Sequence, residues 1–498
     1  MKRIINRPLH VKLLLILFLS LSRNVCLAND KASKIDTYLT QCYNNGQFNG
    51  TALIAERGKV IYKKGFGYAN MEWQIPNDID TKFRIGSITK QFTAMLIMQL
   101  VEAGEISVDA KITDYLPNYR KDAGDRVTIH HLLTHTSGIP SYTGLPGFWS
   151  DSTRNHYDVD YVVENFCSGD LEFEPGSKYR YNNSGYYLLG AIIEAVTGKP
   201  FSEVLRERIL APLGMKNTNI DDQSEILEKR ASGYVKQLTE YVKDPYFFMR
   251  NAYAAGAMYS TVGNLYKWDQ ALYTDKLLSQ EYRQLIFKPH VPALGTASYG
   301  YGWVINKMPL ANSSDSVKVI AHGGGINGFN TLIARFVEDK HLVVLLNNTG
   351  SARLNDMCQG IVNILYDRPA ILPKLSIAET MLKTLLEKNL QAAINQYHDL
   401  KTNGEDKYDF RENELNRLGY QLLGIDRVAD AIKIFKLNVE AYPEAFNPYD
   451  SLGEAYMIKG DYELAIENYK KSIELNPDNT NGIQMLEKIK EKMKSVAN

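Results

Sequence analysis

The sequence predicts an α+β domain followed by an all-helical one. Two β-rich runs near the N-terminus, residues 50–56 and 59–65, flank Arg57-Gly58, a hairpin signal across a tight glycine turn. Four more strand-like runs, 301–307, 317–322, 330–338 and 341–347, come only after a long stretch of helix and loop over roughly 87–290. Strands at both ends with helices between predict an antiparallel sheet that joins N- and C-terminal strands, flanked by helices and a helical region. Around 368–373, the run Arg368-Pro369-Ala370-Ile371-Leu372-Pro373 reads as a linker, and the pattern beyond it is helical.

The chain opens with a leader. Lys2, Arg3, Arg7 and Lys12 precede the apolar run Leu13–Leu21, and Ala28 offers a small residue for cleavage. That run is too short to span a bilayer, which takes about 20 apolar residues. A lipidation site at Cys26 fits poorly with Arg23-Asn24-Val25 before it. We therefore expect a signal peptide over 1–28 and a secreted or periplasmic mature protein that does not span the membrane. The whole chain balances 57 basic against 57 acidic residues, but 1–28 hold five basic residues and no acid. The remainder is mildly acidic, without the electrostatic footprint of a nucleic-acid binder. Cys42, Cys167 and Cys358 remain, odd in number and widely spaced, with no Cys-x-x-Cys pair. At most one disulfide is expected, and a core this large needs none.

The expected organisation is signal peptide 1–28, α+β domain 29–368, linker 369–375 and helical domain 376–498. The last part repeats itself. Pro443 and Pro477, Gly419 and Gly453, Leu418 and Leu452, Ala431 and Ala465, Ile432 and Ile466, and Phe435 and Tyr469 all stand 34 residues apart. A small residue, an aromatic and a closing proline at this period resemble the tetratricopeptide repeat. Two copies span about 413–478, with helices over 376–400 and 481–494 as extra or capping helices.

Chemistry gathers at Phe83-Arg84-Ile85-Gly86-Ser87-Ile88-Thr89-Lys90, just ahead of the apolar helix Gln91–Val101. Ser87 and Lys90, three apart at a helix start, share a face. The first turn adds unpaired N–H groups and the positive end of the helix dipole. Desolvation against a buried helix favours a neutral lysine, which can take the serine's proton. Alone, the motif reads as a helix cap with a solvated lysine. Downstream partners change that reading: Tyr181-x-Asn183, and His322-Gly323-Gly324-Gly325 after a strand-like run.

The order Ser-x-x-Lys, Tyr-x-Asn, His-x-Gly resembles the serine β-lactamase and penicillin-binding superfamily over roughly 35–365. It is most similar to the branch of class C β-lactamases, D-Ala-D-Ala carboxypeptidases and family VIII esterases. The stretches His131-Leu132-Leu133-Thr134-His135-Thr136-Ser137-Gly138, Glu174-Pro175-Gly176 and Pro212-Leu213-Gly214-Met215 are similar to that branch as well. The resemblance implies a β-lactamase/transpeptidase-like fold and an acyl-enzyme mechanism without metal or organic cofactor. It implies that Ser87 is the nucleophile, Lys90 its base or relay, and Tyr181 a proton shuttle that activates water in deacylation. A tyrosine in that role needs its pKa lowered by a lysine cation, or a proton shared with it. Asn183 would hold Lys90 and the substrate amide, and the N–H groups of Ser87 and Gly325 would form the oxyanion hole, with Gly324 beside them. Most β-lactamases of the superfamily carry a lysine where His322 stands. A histidine of pKa roughly 6.5 attracts a substrate carboxylate less. The implied activity is hydrolysis of a peptide or ester acyl donor, of carboxypeptidase or esterase type and possible peptidoglycan origin, with weak or no β-lactam turnover.

Other readings compete. His322-Gly323-Gly324-Gly325 also looks like an α/β-hydrolase oxyanion loop, but no Gly-x-Ser-x-Gly elbow follows. His131 and His135 have metal-face spacing but lack the His-Glu-x-x-His glutamate, so a loop or packing role is expected. A binder or sensor whose repeats recruit a protein partner is the non-enzyme alternative. Intact Ser87, Lys90, Tyr181 and Asn183 favour the enzyme.

Overall fold

The computed structural model describes residues 30–350 and 352–497; the leader read at 1–28 lies outside them. The chain divides into two units. One runs up to Val235 and resumes over Val242–Pro373, and the other takes Lys236–Tyr241 and Lys374–Asn498.

In the first unit, β1 (Gly50–Glu56) and β2 (Lys59–Phe66) form the expected hairpin. Arg57 and Gly58 both take positive φ, 50° and 76°, the geometry that matches the strand twist across a two-residue turn. The later strands are β3 (Val291–Pro292), β4 (Ser298–Tyr299), β5 (Val304–Pro309), β6 (Ser316–Ile326), β7 (Phe329–Phe336) and β8 (His341–Asn347). They form one antiparallel sheet in the order β3-β4-β5-β6-β7-β8-β1-β2. The predicted junction of the two chain ends is the β8–β1 ladder, from Gly50 opposite Asn347 to Ala55 opposite Leu342.

Every residue of β8 is buried, because both sheet faces are covered. Leu342, Val344 and Leu346 point into the larger core with the central helices. Val343 and Leu345 point the other way, onto Ile35, Leu39 and Cys42 of the helical stretch 30–44 and Met357, Cys358 and Ile361 of the helix Leu354–Leu365. Period-two alternation thus builds two apolar layers on one strand.

The structure departs from expectation in β6. The strand does not stop before the glycines but runs through them to Ile326, because β7 keeps pairing with it down to Phe329. At the opposite edge β5 pairs with β6 only up to Ala321, so residues 322–326 have one uncovered edge.

Over Lys374–Asn498 the second unit is helical apart from a two-residue parallel bridge of Leu375–Ser376 with Tyr408–Asp409 that the helical pattern did not suggest, and Lys236–Tyr241 holds parts of the strands Tyr234–Gln237 and Glu240–Lys243. Four of its helices, Glu412–Leu423, Val428–Ala441, Phe446–Lys459 and Tyr462–Leu475, carry the 34-residue period. The matched positions do matched work. A Cβ on Gly419 would lie 2.3 Å from the Phe435 ring, and one on Gly453 would lie 3.1 Å from the Tyr469 ring. In each repeat a glycine lets the aromatic of the next helix pack onto backbone. Cys42, Cys167 and Cys358 are buried and free. Among the described residues no helix is long and apolar enough to cross a membrane.

Candidate active site

Ser87 sits in a 3-10 turn, Gly86–Ile88, that feeds directly into helix α1 (Thr89–Glu102). Helix α1 is buried almost all round, from Thr89 through Met98, as its largely apolar sequence requires. The strand β6 lies against the Ser87 turn. A Cβ on Gly86, which has φ +51°, would lie 2.9 Å from both the N and the O of Gly325. A Cβ on Gly324 would lie 1.9 Å from the Ile85 carbonyl oxygen, so only glycine fits this approach. At Gly325 the same position is open space. Ile326 pairs with Phe329 across a two-residue turn, so the alternation of the ladder leaves the Gly325 N–H on the uncovered edge, facing the Ser87 turn.

Lys90 is fully buried, not a solvated helix-start lysine. Its Nζ is 2.8 Å from Asn183 Oδ1, 2.8 Å from the Ala255 carbonyl oxygen and 3.2 Å from Ser87 Oγ. Burial holds its pKa well below the usual lysine range, which favours the neutral amine. A neutral amine has two hydrogens and one lone pair. In that form the two oxygens that can only accept, Asn183 Oδ1 and the Ala255 carbonyl, would take the hydrogens and leave the lone pair for the Ser87 hydroxyl. The four-residue turn Tyr253–Gly256, which supplies the Ala255 carbonyl, carries no sequence signal for this role.

Tyr181 and Asn183 reach the same point because Asn182 between them is extended, φ −143° and ψ 121°, where residues two apart face one side. Asn182 caps helix α2 (Asn183–Thr197), its Oδ1 accepting the Gly185 N–H at 2.9 Å. The Asn183 amide is oriented by Lys90 on its oxygen and by Thr143 Oγ1, which accepts from Nδ2 at 3.0 Å. The Tyr181 phenol lies near enough to Ser87 for the serine to offset part of the upward effect of burial on its pKa. Tyr181 as a residue is 37 % exposed. Burial pushes the phenol up, not down. Lys90 Nζ stands 4.9 Å from the Tyr181 ring centroid, but the lowering by a lysine cation that the sequence suggested is not among the causes of the shift.

His322 is buried on β6. Its Nδ1–H donates to the Gly323 carbonyl oxygen at 2.6 Å, and its Nε2 accepts the Tyr299 O–H at 3.0 Å. Burial pushes its pKa down to about 4. The neutral histidine expected from the sequence is present with both nitrogens engaged. Tyr299, Ala255, Thr143 and Gly86 are the site residues that sequence reasoning missed; of these only Gly86 had a signal, a glycine beside the Ser-x-x-Lys motif. His131 and His135 serve different ends: His131 Nδ1 accepts the Thr128 N–H at 3.2 Å, and the His135 ring packs at 4.3 Å on Tyr181.

Ser87, Lys90, Tyr181 and the glycine edge of β6 are thus brought together in one site, and comparison with known proteins finds relatives of one family. The beta-lactamase family model matches residues 35–358, and the tetratricopeptide repeat model matches 451–479. Penicillin-binding protein 4* of Bacillus subtilis is 31 % identical over 342 residues, covering 65 % of this chain and 73 % of that one. The octameric penicillin-binding protein homologue from Pyrococcus abyssi matches at TM-score 0.61 and 29 % identity, over 71 % of this chain and 81 % of that one. The D-amino acid amidase of Ochrobactrum anthropi SV3 matches at TM-score 0.57 and 27 % identity, over 68 % and 98 %. The chain therefore belongs to the beta-lactamase family, as a serine hydrolase related to penicillin-binding proteins that carries a tetratricopeptide repeat behind its hydrolase fold.

Proposed function

We propose that this chain hydrolyses a peptide or ester acyl donor through an acyl-enzyme on Ser87. The observation that carries the reading is the placement of Lys90, whose Nζ is held 2.8 Å from Asn183 Oδ1 and from the Ala255 carbonyl oxygen and stands 3.2 Å from Ser87 Oγ. The Ser87 proton passes to Lys90 as Oγ attacks the substrate carbonyl carbon. The carbonyl oxygen takes the negative charge and is held by the N–H groups of Ser87 and Gly325. Lys90 returns the proton through the Tyr181 hydroxyl to the departing amine or alkoxide, and the carbonyl re-forms as the ester of Ser87. Water then attacks that ester, giving its proton to Tyr181 and Lys90, and Ser87 leaves with a proton restored. Asn183 keeps Lys90 in place and offers its amide face to the substrate.

Acyl-D-Ala peptides are the leading donors, in line with relatives named as a penicillin-binding protein and a D-amino acid amidase. A neutral, doubly hydrogen-bonded His322 gives no cation for a β-lactam carboxylate, so β-lactam turnover is weak or absent. We propose further that the leader is removed after Ala28 and the protein works outside the cytoplasm. The domain limits are 29–368 and 376–498, joined by 369–375 and supported by the division at Pro373. The repeats serve a protein partner. The test compares kcat/KM for short-chain aryl esters, an acyl-D-Ala-D-Ala peptide and nitrocefin, in wild type and Ser87→Ala. Ester or peptide hydrolysis that vanishes in Ser87→Ala is expected; fast, Ser87-dependent nitrocefin turnover would overturn the substrate assignment.

A further inference from the structure

His135 has no role in the chemistry above, yet its environment is unusual in three respects. It is only 1 % exposed. Its backbone is left-handed at φ +60°, a region non-glycine residues seldom occupy. It also holds the chain on both sides of Tyr181. The His135 carbonyl oxygen accepts the Arg180 N–H at 2.9 Å, and its Nδ1 accepts the Asn182 N–H at 3.1 Å. Between these two anchors its ring lies 4.3 Å from the Tyr181 ring, and it touches Tyr299 at 4.7 Å and Tyr186 at 5.1 Å. The left-handed turn is what lets carbonyl and imidazole of one residue grip N–H groups two residues apart. Since Nδ1 accepts, the ring carries its hydrogen on Nε2, and that atom is buried among the tyrosines with no hydrogen-bond partner in the described structure.

We propose that His135 is the positioning residue for Tyr181: it fixes the phenol hydroxyl over Ser87 by clamping the backbone at 180 and 182 and supporting the ring from behind. This rests on the reading of Tyr181 as the proton shuttle. The strained backbone and the unpartnered Nε2–H are costs the fold carries to keep an acceptor and a flat ring at this one place.

The test is a double-mutant cycle on the full chain, reading kcat and KM for an aryl ester. Asparagine tolerates the left-handed conformation and places its Oδ1 where Nδ1 stands; glutamine reaches past it; alanine offers neither acceptor nor ring. We expect His135→Ala to lower kcat about 100-fold with KM changed less than about threefold, the effect of a roughly 1 Å misplacement of a catalytic group. His135→Asn retains at least about tenfold more kcat than His135→Ala or His135→Gln. In a Tyr181→Phe background, His135→Ala costs less than about threefold further, because the residue it positions is already disabled. Should the alanine variant not fold, the Asn and Gln pair reads the same point. Equal losses in both backgrounds, or Asn no better than Gln, overturn the proposal. If Tyr181→Phe alone leaves kcat intact, the shuttle reading itself fails; if Tyr181→Phe is impaired and His135→Ala is not, only the clamp fails.

Discussion

Replacing Gly324 by alanine tests how closely the β6 edge must approach the nucleophile. The new methyl would stand 1.9 Å from the Ile85 carbonyl oxygen and 2.4 Å from Thr331 Oγ1. A carbon and an oxygen settle no closer than about 3.3 Å, so the strand and the Ser87 turn must part by roughly 1.4 Å. Ile85 is two residues from Ser87, and Gly324 is next to Gly325. The separation therefore opens the gap between the two N–H groups that hold the oxyanion. Loss of one such donor costs about 100- to 1,000-fold in kcat, about 3–4 kcal/mol of transition-state stabilisation. Gly325→Ala is the control: its methyl points into open space, so the fold is undisturbed and only the substrate path narrows. Ester hydrolysis rates, with circular dichroism as the check on folding, measure both variants. A folded Gly324→Ala with wild-type kcat would refute the reasoning, because it would show that the approach of β6 to Ser87 does not set the oxyanion geometry.

Further outcomes follow from the same site. His322→Lys exchanges a neutral ring for a cation, and we expect the ratio of kcat/KM for a peptide acid over its amide to rise about tenfold, the scale of one charge-assisted hydrogen bond; an unchanged ratio would place carboxylate recognition elsewhere. With a folded pKa of about 4 against roughly 6.5 in the unfolded chain, His322 binds its proton in the unfolded state first. Stability therefore falls as pH drops from about 6.5 toward 4, by roughly 3 kcal/mol at most from this residue. Urea titrations across that range should show a shallower slope in His322→Gln. In the second unit, Gly419→Ala should lower the melting temperature more than Gly453→Ala, since the added methyl meets Phe435 at 2.3 Å but Tyr469 at 3.1 Å; overpacking of this kind costs about 1–3 kcal/mol. Equal melting temperatures would show that the closer approach of Phe435 to Gly419 does not set the cost.

Short-range geometry made the nucleophile end of the site legible. Ser87 and Lys90 are tied by the pitch of one helix start, and Tyr181 and Asn183 by one extended residue, so their spacing in sequence is their arrangement in space. The N- and C-terminal strands were legible from β-rich runs, and the helical repeat from glycines and aromatics at a fixed period. What escaped were partners supplied by backbone or by distant loops. A carbonyl such as that of Ala255 has no residue signature, and Tyr299 and Thr143 reach the site only through the fold. The β6 run through three glycines was also hidden, since glycine reads as turn until a pairing strand is known. The direction of the Tyr181 shift follows from its own burial, which sequence spacing does not report.

The most direct test of the acyl-enzyme on Ser87 is the rapidly quenched intact mass of the mature protein during turnover of an activated aryl ester, with peptide mapping of the label. One acyl group per chain, mapped to Ser87, absent in Ser87→Ala and slowed strongly in Lys90→Met, is the result predicted. An acyl group on another residue, or labelling that persists in Ser87→Ala, would contradict the assignment of Ser87 as the nucleophile.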